Sequence, residues 1–219
     1  MDVIGHRGCA AEFPENTLAA MRGSASQVDM VELDVRRCAS GELVVFHDER
    51  VDRLTDETGT IDTFDYDELS GLTVGDSNES IPTLDDALGA LPEDTGVNIE
   101  LKETGLHDQT LDLVLAIPHE VIISSFDPEA LDAFRDTPIR TALLCLNSTS
   151  EALETALGLD CAYLHPQYTT VDTESIERAH SRGLALNAWT VPSETAVQRL
   201  QADGIDGVIV DSWTVVPGN

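Results

Sequence analysis

The sequence predicts an α/β fold, a TIM (β/α)8 barrel. Three observations point there: strand-like and helix-like segments alternate from end to end, eight strands can be read in that alternation, and polar residues gather at the strands' C-terminal ends. At 219 residues the chain is short for such a barrel, yet long enough for one sizeable core. No composition break or flexible linker divides it, so a single domain over 1–219 is expected.

The first strand is read at roughly 2–6. The second, 30–36, is the anchor, because a strand alternates its side chains and these residues alternate in kind. Glu32 and Asp34 share one face, and Val31, Leu33 and Val35 form an apolar, β-branched face suited to packing under helices. Two carboxylates about 7 Å apart along one interior face repel each other, and the strand therefore asks for a cation or a proton. Leu43 to Asp48 reads as an extra strand, and 49–80 follows it with Asp, Thr and Gly throughout. That is too long for an ordinary βα loop, and in a barrel such an insertion is expected over the C-terminal face as a partial lid. The strand at 97–102 repeats the grammar of the second, with Val97, Ile99 and Leu101 on one face and Asn98, Glu100 and Lys102 on the other. Further strands are read at 121–125, 140–145, 161–165, 184–189 and 207–210.

Helices are expected at 16–25, 83–91, 107–116, 128–135, 149–157, 172–182 and 193–202. Their starts are readable: Asn16 or Thr17 precedes an apolar run, Thr83 leads another, Pro128 suits a first turn, and Ser193 precedes Glu194. After the last strand only Ser212 to Asn219 remain, so the closing helix should be missing or reduced to a turn.

Composition narrows the function classes. The formal net charge is -29, with 41 Asp+Glu against 12 Lys+Arg, which excludes a nucleic-acid surface. Disorder is the usual alternative for such charge, but 42% hydrophobic residues in periodic runs argue against it. Adaptation to molar salt accounts for it better, because a Debye length of about 3 Å suppresses self-repulsion there. Of the basic residues, Lys102 is the only lysine, and it stands two positions from Glu100. Cys9, Cys38, Cys145 and Cys161 show neither paired nor zinc spacing and read as free thiols, Cys9 as buried filler. No leader precedes the first strand and no run approaches a membrane span, so a cytoplasmic protein without membrane insertion is expected.

Chemistry-bearing residues converge on one mouth: His6 and Arg7 after the first strand, Glu32 and Asp34 in the second, His47 soon after, Glu100 and Lys102 in the third. Three carboxylates offer hard oxygen ligands, which favour one divalent cation, Mg2+, Ca2+ or Mn2+, over zinc. Arg7 and Lys102 suit a phosphate, and two histidines can trade protons near neutral pH. Phosphoryl transfer to water or a hydroxyl is the chemistry implied. His165 ends one strand and is read either as lining the site or as part of a turn before Pro166. His107, His119 and His180 read as surface. Trp189, with Asn187 on its face, is read as core or as a wall for substrate.

Gly5-His6-Arg7-Gly8, Pro14-Glu15-Asn16-Thr17, Glu32-Leu33-Asp34 and His47-Asp48 resemble the glycerophosphodiester phosphodiesterase family, and so do Ile81 to Leu84, Asn98 to Lys102, Ser124 to Asp127 and Asn187 to Thr190. The likeness runs from residue 3 to about 211. It implies a TIM barrel with a small insertion after strand two that hydrolyses glycerophosphodiesters, a small-molecule substrate, to an alcohol and sn-glycerol 3-phosphate. By matched position it implies metal binding by Glu32, Asp34 and Glu100, acid-base work by His6 and His47, and phosphate contacts by Arg7 and Lys102. The chain departs from the family pattern at its C-terminus, which leaves barrel closure and oligomeric state open, a homodimer included. Two rivals stand beside this reading: a phospholipase-type phosphodiesterase at a membrane, and a barrel that binds a phosphodiester without turnover. The acidic composition disfavours the first, and the intact set of carboxylates and histidines disfavours the second.

The charge balance makes a prediction of its own. Thermal unfolding should come at higher temperature in molar KCl than in low salt, and greater stability in low salt would sink the salt-adaptation reading.

Overall fold

Alternation along each strand turns one row of side chains into the barrel and the other out beneath the helices. In the computed structural model, which describes residues 1–147 and 149–218, the strands are β1 (Asp2–Gly5), β2 (Met30–Arg37), the antiparallel β3 (Leu43–Val45), β4 (Gly96–Leu101), β5 (Val121–Ser125), β6 (Arg140–Cys145), β7 (Tyr163–Pro166), β8 (Ala185–Ala188) and β9 (Gly207–Val210). Leaving out β3, which pairs only with β2, eight parallel strands form a ring that closes because β1 pairs with both β2 and β9. The expected barrel is therefore observed, closure included. In the β2–β4 register Glu32 lies opposite Asn98 and Asp34 opposite Glu100, so the polar faces of the two strands meet inside.

The outward positions Val31, Leu33, Val35, Val97, Ile99 and Leu101 are buried in the main core, packed under the helices. Those helices are α1 (Leu18–Ser24), α2 (Tyr66–Leu69), α3 (Leu84–Ala90), α4 (His107–Leu115), α5 (Pro128–Asp132), α6 (Thr149–Gly158), α7 (Thr173–His180) and α8 (Glu194–Asp203). Burying one large aliphatic side chain contributes about 1.5–3 kcal/mol, so the outer layer carries most of the stability. Helix starts follow their caps: Thr17 Oγ1 accepts from the Ala20 amide, Thr83 from Asp86 and Ser193 from Ala196. Asn16 stands outside α1, at φ 60°, with its side chain turned inward. Inside the barrel, Ile4, Met30, Ile122, Ala142 and Ile209 form an apolar floor.

The excursion between β3 and α3 is less irregular than its composition suggested. Two 3-10 turns, Val51–Arg53 and Ile61–Thr63, and α2 fold over a second core of Cys38, Val44, Phe46, Val51, Ile61, Leu69, Val74 and Ile81. The extra strand is shorter than expected, ending at Val45, and Phe46 turns into that core. At the C-terminus a 3-10 turn, Trp213–Val215, stands in place of the closing helix, with Trp213 packed 6.0 Å from Phe13.

His165 is wholly buried, and it does not line the cavity described below. Its Nε2 accepts from Asn187 Nδ2 at 3.1 Å, its carbonyl takes the Trp189 indole N–H at 2.7 Å, and Nδ1 has no partner. Burial pushes the imidazole down to about 3. The folded chain therefore holds His165 neutral where the unfolded chain protonates it, below about 6.5. Between these values the unfolded state binds more protons, so stability falls as pH falls, by up to about 1.4 kcal/mol per unit from this group. His165→Gln should flatten that slope in urea unfolding across mildly acidic pH. Identical slopes in the two proteins would show that the ring is not held neutral.

Candidate active site

Three carboxylates side by side in the barrel interior set the site's terms. Glu32, Asp34 and Glu100 are all buried, and each offers an oxygen within 4.8 Å of the others. Burial, with Asp34 adding repulsion, pushes Glu32 up to about 8. Burial and Asp34 raise Glu100 as well, partly offset by Lys102. Burial also works against charge on Asp34, but Lys102 and Arg7 outweigh it and hold that carboxyl below its usual value. Lys102 Nζ stands 2.5 Å from Glu100 Oε1 and 3.4 Å from Asp34 Oδ1, and Arg7 Nε is 3.4 Å from Asp34 Oδ2. Even so, Glu32 Oε1 and Asp34 Oδ1 are buried without a hydrogen-bond donor. Bare, buried, hard oxygens facing one another fit a divalent cation, which Glu32, Asp34 and Glu100 could hold together.

The chain after β1 is bent to serve this cluster. Arg7, Gly8 and Cys9 have φ of 51°, 75° and 65°, a left-handed run that costs a non-glycine residue about 1 kcal/mol or more. Gly8 is needed twice over, since a Cβ there would also lie 2.6 Å from the Ala20 Cβ of α1. The bend aims the Arg7 amide at Glu32 Oε2, 2.7 Å away. Asn16 completes the support of Asp34: its Nδ2 donates to Oδ2 at 2.8 Å and its Oδ1 accepts the Asp34 amide at 3.2 Å.

Each histidine at the mouth is held by a carboxylate at Nδ1. His6 meets Asp211 Oδ1 at 2.7 Å and His47 meets Asp48 Oδ1 at 2.6 Å, which leaves Nε2 as the nitrogen for proton traffic. Burial opposes charge on His6, but the Asp211 bond and nearby Glu32 outweigh it and raise its pKa. For His47 burial prevails over Asp34 and Asp48, and its pKa is lowered. The Arg36 Nε–H also fixes the His47 carbonyl, at 3.0 Å.

His6, Arg7, Glu32, His47, Glu100, Lys102 and Trp189 all line one cavity of about 130 Å³, with Asp34 buried at its base. Apolar side chains line it too, Phe126, Leu144 and Trp189, and the Trp189 ring meets Phe126 edge-on at 5.5 Å. His107, His119 and His180 lie away from it, bonded to Asp108, the Thr95 carbonyl and Asp206. Cys9 is buried, its thiol pushed up to about 12 by burial, and all four cysteines are free. Among the described residues no helix is long and apolar enough to cross a membrane. Sequence reasoning did not single out Glu15, Asn16, Asp48, Asp211 or Arg53 as site residues. Asp48 beside His47 and Asp211 just past β9 carried a positional signal; Arg53, in the acidic excursion, carried none.

Comparison with known proteins points one way. The model of the glycerophosphoryl diester phosphodiesterase family matches residues 6–215. A glycerophosphodiester phosphodiesterase of Caldanaerobacter subterraneus subsp. tengcongensis is 34% identical, covering 95% of this chain and 93% of its own. Among solved structures, an Oleispira antarctica phosphodiesterase in complex with the product sn-glycerol-3-phosphate is 30% identical, with a TM-score of 0.88 over 96% of this chain and 93% of that one. The glycerophosphodiester phosphodiesterase of Thermotoga maritima is 28% identical, with a TM-score of 0.84 over 97% of this chain and 95% of that one.

Proposed function

The chain belongs to the glycerophosphoryl diester phosphodiesterase family, a family of phosphoric diester hydrolases, and from that premise we propose how its residues divide the work. The substrate is a glycerophosphodiester, cleaved to an alcohol and sn-glycerol 3-phosphate. Glu32, Asp34 and Glu100 hold one divalent cation, Mg2+ or Ca2+, with Mn2+ also suited to the oxygen donors. When bound, it supplies Lewis-acid polarisation of the phosphoryl oxygens. Arg7 and Lys102 neutralise the charge that develops on them. Trp189 and Phe126 present an apolar wall to the carbon skeleton. The segment 49–80 covers part of the active-site face, tied there by Arg53. The two buried carboxylate oxygens without a hydrogen-bond donor, beside a lysine and an arginine, are the observation that carries the reading, because they want a cation and their neighbours want an anion.

His6 and His47 share the proton transfers. The bond to Asp211 favours the protonated ring at His6, which suits an acid, and burial keeps His47 neutral, which suits a base. The base activates either water or the substrate's own glycerol 2-hydroxyl. In the second case the hydroxyl attacks phosphorus, the alcohol leaves, and water opens a five-membered cyclic phosphate. We favour the cyclic route, because a tethered nucleophile gains an effective molarity of up to about 10⁵ M or more when well oriented.

Glu32→Gln, which keeps shape but removes charge, should nearly abolish release of glycerol 3-phosphate from glycerophosphocholine. Lys102→Met should cost about 2–4 kcal/mol of transition-state stabilisation, read from kcat/KM. Undiminished turnover after complete chelation would falsify the cation's role. A substrate with hydrogen in place of the 2-hydroxyl should bind but resist hydrolysis; cleavage at the normal rate would leave direct attack by water as the route.

A further inference from the structure

Arg53 does not line the cavity, yet it bonds two carboxylates that orient groups which do. It ends the 3-10 turn Val51–Arg53 of the excursion, and its guanidinium is used on both edges. Nε donates to Asp48 Oδ2 at 2.6 Å. NH1 and NH2 donate to Glu15 Oε2 and Oε1 at 3.0 and 2.7 Å, a bidentate fork. Each carboxylate also holds a second partner. Asp48 Oδ1 holds His47 Nδ1, and Glu15 Oε1 accepts from Arg7 NH1 at 2.8 Å. One guanidinium thus stands a single residue away from both His47 and Arg7.

We propose that Arg53 is a positioning residue for hydrolysis, setting Asp48 and Glu15 so that His47 and Arg7 face the phosphodiester together. The inference rests on the function proposed above. Two physical arguments support it. Glu15 and Asp48 lie in irregular chain, where a carboxylate can rotate freely, and a planar fork fixes two of them at once as an ammonium cannot. The second argument concerns charge. Glu15 Oε1 is shared between Arg7 and Arg53, so part of the Arg7 charge is left for the substrate. Without Arg53, Glu15 would draw on Arg7 alone and Asp48 on His47 alone, leaving more negative charge beside a mouth that must admit an anion. Stability is a weaker reason for the contact, since the Arg53 side chain is 45% exposed and an exposed pair contributes only about 0.2–1 kcal/mol.

The test compares wild type, Arg53→Ala and Arg53→Lys on glycerophosphocholine in the divalent-cation-supplemented enzyme, with melting temperature and circular dichroism recorded for each. Arg53→Ala should keep its fold and lose about tenfold to a hundredfold in kcat, the penalty of small misplacements at a reacting centre. Arg53→Lys should recover only part, because it restores charge without the fork. Added millimolar guanidinium should restore much of the Arg53→Ala rate, with the same concentration of potassium chloride having no effect. Unchanged kcat, or a loss that guanidinium does not repair in a folded variant, overturns the proposal. If wild type hydrolyses no glycerophosphodiester, the functional reading fails, and calorimetric binding of inorganic phosphate then decides: severalfold weaker binding by Arg53→Ala upholds the positioning of Arg7, and equal binding overturns it.

Discussion

Repulsion among Glu32, Asp34 and Glu100 is the constraint on which the rest of the molecule depends. With oxygens within 4.8 Å, each pair costs about 3 kcal/mol if fully charged at an effective dielectric of ~20. A barrel that must keep all three therefore has to bring compensation to the same place. Lys102 does so from the position just past β4, reaching Glu100 and Asp34 together, and Arg7 does so from the bend after β1. The β2–β4 register follows from the same need. A one-residue slip of β2 would turn Glu32 and Asp34 out among the helices, and Val31 and Leu33 into the mouth.

Around that centre the chain arranges a set of holders. Asp211, Asp48, Glu15 and Asn16 each hold one side chain of the site, and each comes from connecting chain rather than from a strand interior. Strand interiors are fixed by the ladder; these segments are free to adopt the φ that the site requires. Arg7, Cys9 and Asn16 use that freedom in the left-handed region. The local strain is offset by what it makes possible, namely the Arg7 amide on Glu32 and the paired Asn16–Asp34 bonds.

The barrel and the three carboxylates were legible because both follow from period and placement. Alternation in 30–36 and 97–102 states which side chains share a face, and parallel strands bring those faces together inside a ring. The sole lysine was legible for a different reason, its rarity. His165 was left between two readings because strand parity says that a side chain points inward but not at what height, and its ring is wholly buried against Asn187. The excursion was legible only as a length. Its small core draws on Cys38, Val44, Phe46 and Ile81 outside it, contacts too distant in sequence for any local period to reveal. Arg53 was invisible on the same ground, since its partners lie 5 and 38 positions away and belong to two different loops.

The acidic surface and the anionic substrate class pose a conflict that distance resolves. A net charge of -29 repels a phosphodiester over a long range when salt is low. At molar salt the screening length falls to about 3 Å, whereas Lys102 and Arg7 stand in the lining of the cavity itself. Surface carboxylates far from the mouth then cease to act on the substrate, while the cations at contact keep most of their pull. The same screening relieves the self-repulsion of the folded chain. Repulsion within the chain and repulsion of an anion are thus relieved under one condition, while Lys102 and Arg7 stay fixed at the cavity by Glu100 and Asp34.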